Sequence, residues 1–363
     1  MNEKNGKKFV TLLLPAMALL GITGMIGSYI LDPFQIFHTS WLTQDRYLTS
    51  YERFQNAGLI AGMKEREDCC ETIIIGTSHS QNFIPSHVAK AFRSNGVLQL
   101  SMPGPLASEQ EITHKKASES KEIKNVIWDI HDPFAGNVIV PPNDPAELRK
   151  KPDRLFPLFL YDENRLNDYL LLASADLFVR FTEQIFKGKP YDVSRSWYFE
   201  AKNSFGKGRE LGLTDTFFIP KHVPESYESH KFPNIDEIII PAVVNHPEQK
   251  FFIFFPPYSK HFYATMTQEE FSQLMAMRLI LARKLAKHPN AQLFSFDGWK
   301  DTENLDNYKD LGHYSAEMSR RIIESMAAGK NRLRGRDAAR NIGDLTGDVN
   351  AYITRFESDA GKE

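Results

Sequence analysis

Thr72-Ile73-Ile74-Ile75-Gly76-Thr77-Ser78-His79-Ser80 is the stretch whose reading decides the fold. Four β-favouring residues run into a glycine, then into two hydroxyl residues, a histidine and a third hydroxyl. This reads as a buried strand ending in a sharp turn, with Ser78 at the mouth of the turn. Pro85 and Ser86 have the character of helix-start residues. A serine at the carboxyl edge of a first parallel strand, ahead of a helix, is well placed for a nucleophile. Its backbone N–H is then expected near the positive end of the helix dipole. Taken alone, the same residues also fit a strand followed by a capping Ser/Thr turn, so the rest of the chain has to decide.

Downstream, the pattern repeats. Pro85 to Ser94 reads as a helix and Val97 to Ser101 as a second strand, ending at Met102-Pro103-Gly104-Pro105. Leu106 to Lys116 is helical, and Asn125 to Ile130 is a third strand ending at His131-Asp132. Strands alternating with helices at this spacing predict a parallel sheet with right-handed crossovers. The next strand is Lys250 to Phe255, followed by Pro256-Pro257-Tyr258. A long segment intervenes. It opens Pro-rich, has a helical run from Arg165 to Phe186, and stays polar and aromatic to Phe232. We read 137–232 as an inserted lid or docking subdomain. Ile235 to Asn245 looks helical despite Pro241, and Thr267 to Lys287 is an amphipathic helix. Ala291 to Phe296 is a fifth strand, and Ala316 to Ala328 a last helix. The charged, Gly-containing tail at 329–363 is expected to be poorly ordered or peripheral.

Upstream, Phe9 to Leu31 carries no charged residue and is long enough for a bilayer, which about 20 apolar residues can cross. Lys4, Lys7 and Lys8 precede it and Asp32 follows it. The positive-inside rule predicts residues 1–8 in the cytoplasm, 9–31 as a single uncleaved anchor and everything beyond outside the membrane. Residues 32–69 read as a juxtamembrane segment with aromatics suited to the interface and a helix from Gln44 to Met63. Net charge is -2, from 44 basic and 46 acidic residues, so nothing pulls the chain toward nucleic acid. The two cysteines, Cys69 and Cys70, are adjacent and have no metal-type spacing. They read as small buried residues, and no metal or cofactor is expected.

In open parallel sheets ligands sit beyond the carboxyl ends of the strands. The residues there are Ser78 and His79, Gly104, His131 and Asp132, Tyr258, and Asp297 followed by Asp310-Leu311-Gly312-His313. In an Asp-x-x-His loop the carboxylate can accept from one imidazole nitrogen, leaving the other to take a proton from a serine hydroxyl. That is the logic of a nucleophile, base and orienting carboxylate. Alone the spacing is common and also fits a helix-entry loop with a surface histidine. Its value lies in following the last strand while a Gly-x-Ser follows the first. His79 reads as a substrate contact or a helix-start residue packed behind the site. His131 is either a substrate or oxyanion contact or a strand-end histidine bonded to Asp132, and Tyr258 either lines the pocket or simply follows a strand-stopping Pro pair. Asp129 falls in an apolar strand, so it should stand at the strand end or be paired.

Gly76-Thr77-Ser78, Gly104 and Asp310/His313 together resemble the blocks of the SGNH (GDSL-like) hydrolase superfamily. Within it, the chain is similar to the membrane-anchored proteins of envelope-polymer modification, such as D-alanyl-lipoteichoic acid biosynthesis and alginate O-acetylation proteins. The resemblance covers roughly 70–136 and 245–328. It implies a flavodoxin-like, three-layer α/β domain over 70–136 and 233–328. It also implies a Ser78–His313–Asp310 triad, and an oxyanion hole from the Ser78 and Gly104 backbone N–H groups. The implied activity is O-acyl transfer or ester hydrolysis on an exported polysaccharide, outside the cytoplasmic membrane, with an acyl donor and a membrane-bound O-acyltransferase as partners. A catalytically weak scaffold or glycan-binding partner is the alternative. The family's third block carries Asn after the third strand. Here the chain reads Asp129-Ile130-His131-Asp132. Either His131 or Asp132 takes that place, or the two backbone donors act alone.

Overall fold

The computed structural model describes residues 3–32, 34–37, 46–47, 52–65, 70–131, 156–162 and 231–360, with isolated positions at 168–169, 179, 186–187, 189–190 and 192. The chain divides into two compact units. One comprises Met1–Glu67 and Pro142–Tyr191, the other Asp68–Pro141 and Asp192–Glu363.

The first unit begins with helix α1 (Glu3–Leu31), which contains Pro15. Its Thr11–Leu31 portion is long and apolar enough to cross a membrane, and its large side chains are exposed. Asp32 ends the helix. Its backbone is left-handed (φ 32°), and its carboxylate accepts from the Ile36 and Phe37 N–H groups at 2.8 and 2.9 Å. A small apolar cluster follows, in which Phe34, Ile36 and Phe54 pack with Leu31, Phe37, Phe159 and Leu160. Helix α2 spans Glu52–Glu65, shorter than expected. Arg46–Tyr47 is instead a two-residue strand, antiparallel to Lys189–Pro190. The remaining positions of the inserted segment, including most of the helical run expected at 165–186, lie outside the described residues.

The second unit holds the sheet. Its strands are β1 (Thr72–Ile75), β2 (Val97–Gln99), β3 (Asn125–Asp129), β4 (Lys250–Phe255) and β5 (Ala291–Ser295). All pair in parallel, in the order β2-β1-β3-β4-β5. The parallel sheet read from the alternating strands and helices is therefore present, in a doubly wound order. Every residue of β1 is buried, which explains its unbroken apolar run. On one face Ile74, Ile127, Phe252, Phe254 and Phe294 meet helices α3 (Pro85–Phe92) and, from further along the chain, the segment Ala316–Ala327. On the other face Trp128 donates to Gln110 of α4 (Ala107–Ala117) at 2.6 Å.

The segment 235–245 is helical in two styles. Ile235–Ile239 is a π turn and α5 (Ile240–Asn245) follows it, with Pro241 near its start. Proline has no N–H to offer and its ring crowds the preceding turn, so a widened turn ahead of it is the natural accommodation. After β4 come α6 (Lys260–Thr265) and α7 (Gln268–Leu285). Thr267 caps α7 reciprocally with Glu270, accepting its N–H at 3.2 Å and returning its own to Glu270 Oε2 at 2.8 Å. Thr267→Ala is expected to cost about 1 kcal/mol in denaturant unfolding. Asp297, just past β5, accepts from Arg278 at 2.7 Å, Tyr263 at 2.6 Å and Ser295 at 2.8 Å. That carboxylate ties α6 and α7 to the sheet.

Ala316–Ala327 is α8, and a further helix, α9, runs from Ala338 to Ala360. The expectation of a poorly ordered or peripheral tail is therefore corrected. Ala338, Ile342, Leu345, Val349, Tyr352 and Ile353 are buried, and His261 of α6 packs edge-on against Tyr352 and Phe356. Cys70 is buried, as expected, and the second correction is that it is disulfide-bonded. Cys69 lies outside the described residues.

Candidate active site

The turn after β1 is shaped by one close approach. Gly76 has φ +154°, and a Cβ there would stand 1.9 Å from Asp129 Oδ1. Asp129 is the last residue of β3, which β1 pairs with directly. Its carboxylate holds the turn by accepting from the Thr77 N–H at 2.8 Å and the Thr77 hydroxyl at 2.9 Å. Asp129 is thus both at a strand end and paired, as its burial requires. Desolvation pushes its carboxyl up to about 7, against the opposing bonds from Thr77 and Ser80.

Between the turn and α3 lies a 3₁₀ turn, Ser80–Asn82, so Ser78 does not sit at the N-terminus of α3 as expected. Pro85 does open that helix. The turn is also tied to the loop after β2, because Met102 donates to the Gly76 carbonyl at 3.1 Å and Ser80 and Ser101 are hydrogen-bonded at 2.7 Å. Gly104 stands in that loop with φ +51°, and a Cβ there would meet nothing within 4 Å.

Ser78 Oγ lies 2.7 Å from His313 Nε2. On the other side of the ring, Nδ1 lies 2.8 Å from Asp310 Oδ2 and 3.0 Å from Oδ1. Asp310 Oδ1 also accepts the N–H groups of Gly312 at 2.9 Å and His313 at 2.8 Å. Those bonds close the Asp-x-x-His loop on itself and fix the carboxylate. Burial alone would raise the Asp310 carboxyl. The bond and charge of His313 and the two backbone N–H groups outweigh it and hold Asp310 well below the usual carboxylate range. A carboxylate on Nδ1 selects the tautomer with its proton there, so Nε2 is free to accept the Ser78 hydroxyl proton. The three side chains expected from the sequence are therefore brought together in hydrogen-bonding order.

The other sequence-predicted residues fall around them. His79 is buried, and its ring stacks on that of His313 with centroids 4.7 Å apart and planes 5° from parallel. Tyr258 meets His79 edge-on at 5.3 Å. His131 stands past β3, its ring 6.4 Å from that of His79, and desolvation lowers its imidazole to about 3. It is thus a neutral ring just past the third strand of the sheet. Asp132 lies outside the described residues. Sequence reasoning missed Thr77 as an organiser of the turn, and Tyr314, which donates to the His79 carbonyl at 3.0 Å. Tyr314 directly follows His313, which was the available signal. Asp297, read as a site candidate by position, is occupied by Arg278 and Tyr263. Among the described residues no group of His, Cys, Asp or Glu side chains is arranged to hold a metal ion.

No known family model matches the chain, and no curated protein is similar to it.

Proposed function

We propose that this chain is a membrane-anchored serine acyltransferase or esterase of SGNH type. The observation that carries the reading is the unbroken line from Ser78 Oγ through His313 to Asp310, with contacts of 2.7 and 2.8 Å. Ser78 attacks the carbonyl of an acyl ester or thioester while His313 Nε2 takes its proton. Asp310 stabilises the imidazolium so formed. The backbone N–H groups of Ser78 and Gly104 receive the developing oxyanion, with the neutral His131 ring as a third donor. His313 then returns the proton to the leaving oxygen or sulfur. The acyl group passes from Ser78 to water or to a sugar hydroxyl, whose proton His313 removes in turn.

The transferase outcome fits a domain tethered by an apolar helix, with lysines before the span and the catalytic unit outside the cytoplasm. The acceptor is then an envelope or exported polysaccharide, and the donor an acyl group delivered by a membrane-bound O-acyltransferase. The alternative, a scaffold with the same fold and little turnover, draws on the absent Asn. The hydrogen-bonded triad weighs against it, because a chain released from catalysis has no reason to keep three such side chains in register.

A fluorophosphonate probe tests the reading. The full chain in detergent is expected to label at Ser78, located by peptide mass spectrometry. No labelling, or labelling at another residue, would sink it. Acetate release from an acetylated glycan, compared with and without a second glycan acceptor, separates hydrolysis from transfer.

A further inference from the structure

A second hydrogen-bonded chain stands behind the triad. Thr77 Oγ1 lies 2.9 Å from Asp129 Oδ2, 2.9 Å from His79 Nδ1 and 3.1 Å from the His79 backbone N–H, which donates to it. One hydroxyl proton cannot serve both the carboxylate and the imidazole. At the far side of the ring, His79 Nε2 is buried, makes no hydrogen bond, and lies beside Gly312, where a Cβ added to the glycine would stand 3.6 Å from it. Gly312 belongs to the loop that carries both Asp310 and His313, and the His79 ring lies flat on His313.

Two arrangements satisfy these contacts. With Asp129 protonated, its Oδ2–H donates to Thr77, Thr77 donates to His79 Nδ1, and the ring proton sits on Nε2. With Asp129 ionised, Thr77 donates to the carboxylate, His79 Nδ1–H donates to Thr77, and Nε2 is bare. In going from the first to the second, a proton leaves Nε2, the Thr77 proton moves to Nδ1 and the Asp129 proton moves to Thr77. One proton is lost overall and the ring stays neutral throughout.

We propose that Asp129, Thr77 and His79 form a proton relay that sets the tautomer of His79 and, through it, the placement of the Asp310–His313 loop. His79 is then a positioning residue for the base. The effect on reactivity rests on Ser78 being the nucleophile; the relay itself does not. Asp129 is faced by Thr77 and Ser80 from the turn and by Tyr314 from the loop before α8. His79 is faced by His313, Asp310, His131, Tyr258 and Tyr314. Burial drives the His79 imidazole well below its ordinary value, and the same desolvation pushes the Asp129 carboxyl up to about 7. The Gly312 backbone favours the protonated ring, as an accepting carbonyl does. With the proton on Nε2 the ring has a donor to offer that carbonyl and so to hold the loop, and with a bare Nε2 it has none.

Histidine-selective ¹⁵N NMR of the full chain in detergent tests the relay, with the His79 signals assigned by their loss in His79→Phe. The Nδ1 and Nε2 shifts of His79 are expected to exchange character with a midpoint near 7. In Asp129→Asn, the amide oxygen keeps the Thr77 N–H and the amide nitrogen donates to Thr77 Oγ1. That locks the Nε2–H form at all pH. A single unchanged tautomer in the wild type between about pH 6 and 8.5, or an exchange that persists in Asp129→Asn, would overturn the relay. Fluorophosphonate labelling reads its consequence. The wild-type rate should fall about tenfold above the midpoint, while that of Asp129→Asn should not. An equal fall in both would break the link to the loop. Exchange of the ¹⁵N shifts without any labelling of Ser78 would instead leave the relay standing and refute the nucleophile.

Discussion

Asp310→Asn is expected to slow the proposed acyl transfer about 10⁴-fold with the fold intact. The geometry gives the reason. Asp310 Oδ1 receives the backbone N–H groups of Gly312 and His313, while Oδ2 makes the shorter contact to His313 Nδ1. An asparagine can keep its oxygen on the backbone donors, so the loop still closes. Its amide nitrogen then stands where Oδ2 was and donates to Nδ1. The ring must move its proton to Nε2, which faces Ser78 at 2.7 Å, and a protonated Nε2 cannot take the serine proton. On the proposed mechanism Ser78→Ala removes the nucleophile itself and should cost about 10⁶-fold. The double variant should be no slower than Ser78→Ala, because the residues act as one unit. Steady-state acetate transfer measures both, with thermal unfolding as the control on folding. Wild-type-like turnover in Asp310→Asn would remove Asp310 from the mechanism.

The parts of this site that the sequence disclosed are those governed by local rules. An apolar run stopped by Gly76 or by Pro256-Pro257 marks a strand end whatever surrounds it. The Thr267–Glu270 pair marks a helix start in the same way. Ser78, Asp310 and His313 could be joined because the carboxyl ends of parallel strands must share one edge of the sheet. What stayed hidden depends on register. The bond from Thr77 to Asp129 exists because β1 lies beside β3 with Ile75 opposite Trp128, and no spacing rule relates residues 77 and 129. The stacking of His79 on His313 likewise needs the final fold. The misreading of α9 has another cause. Its charged composition masks its helical period. Yet Ile342, Leu345, Val349, Tyr352 and Ile353 recur at steps of three and four and form one buried stripe. At 235–239 a helical pattern was legible, but a π turn answers to Pro241 downstream and has no pattern of its own.

Gly76→Ala should be among the most destabilising single-methyl changes this chain can carry, at about 4 kcal/mol or more. Two costs coincide there. At φ +154° an L side chain is strained whatever space it finds, and here it finds none. The new Cβ would meet Asp129 Oδ1 at 1.9 Å, Asp129 Cγ at 2.5 Å and Ser80 Oγ at 2.6 Å. Relief requires the carboxylate to withdraw, which leaves the Thr77 N–H and hydroxyl without their acceptor inside the sheet edge. Gly104→Ala is the contrasting case. Its φ is +51° but a Cβ would meet nothing within 4 Å, so only the backbone cost of about 1 kcal/mol remains. Urea unfolding of the two variants measures the difference as midpoint shifts at constant slope. A double-mutant cycle assigns its cause. If contact with the carboxylate is the larger part, Gly76→Ala made on an Asp129→Ala background should recover about 2 kcal/mol of the loss. Independent, additive costs would mean that strain in the Gly76 backbone dominates, and that the carboxylate neither dictates the glycine nor sets the shape of the turn presenting Ser78.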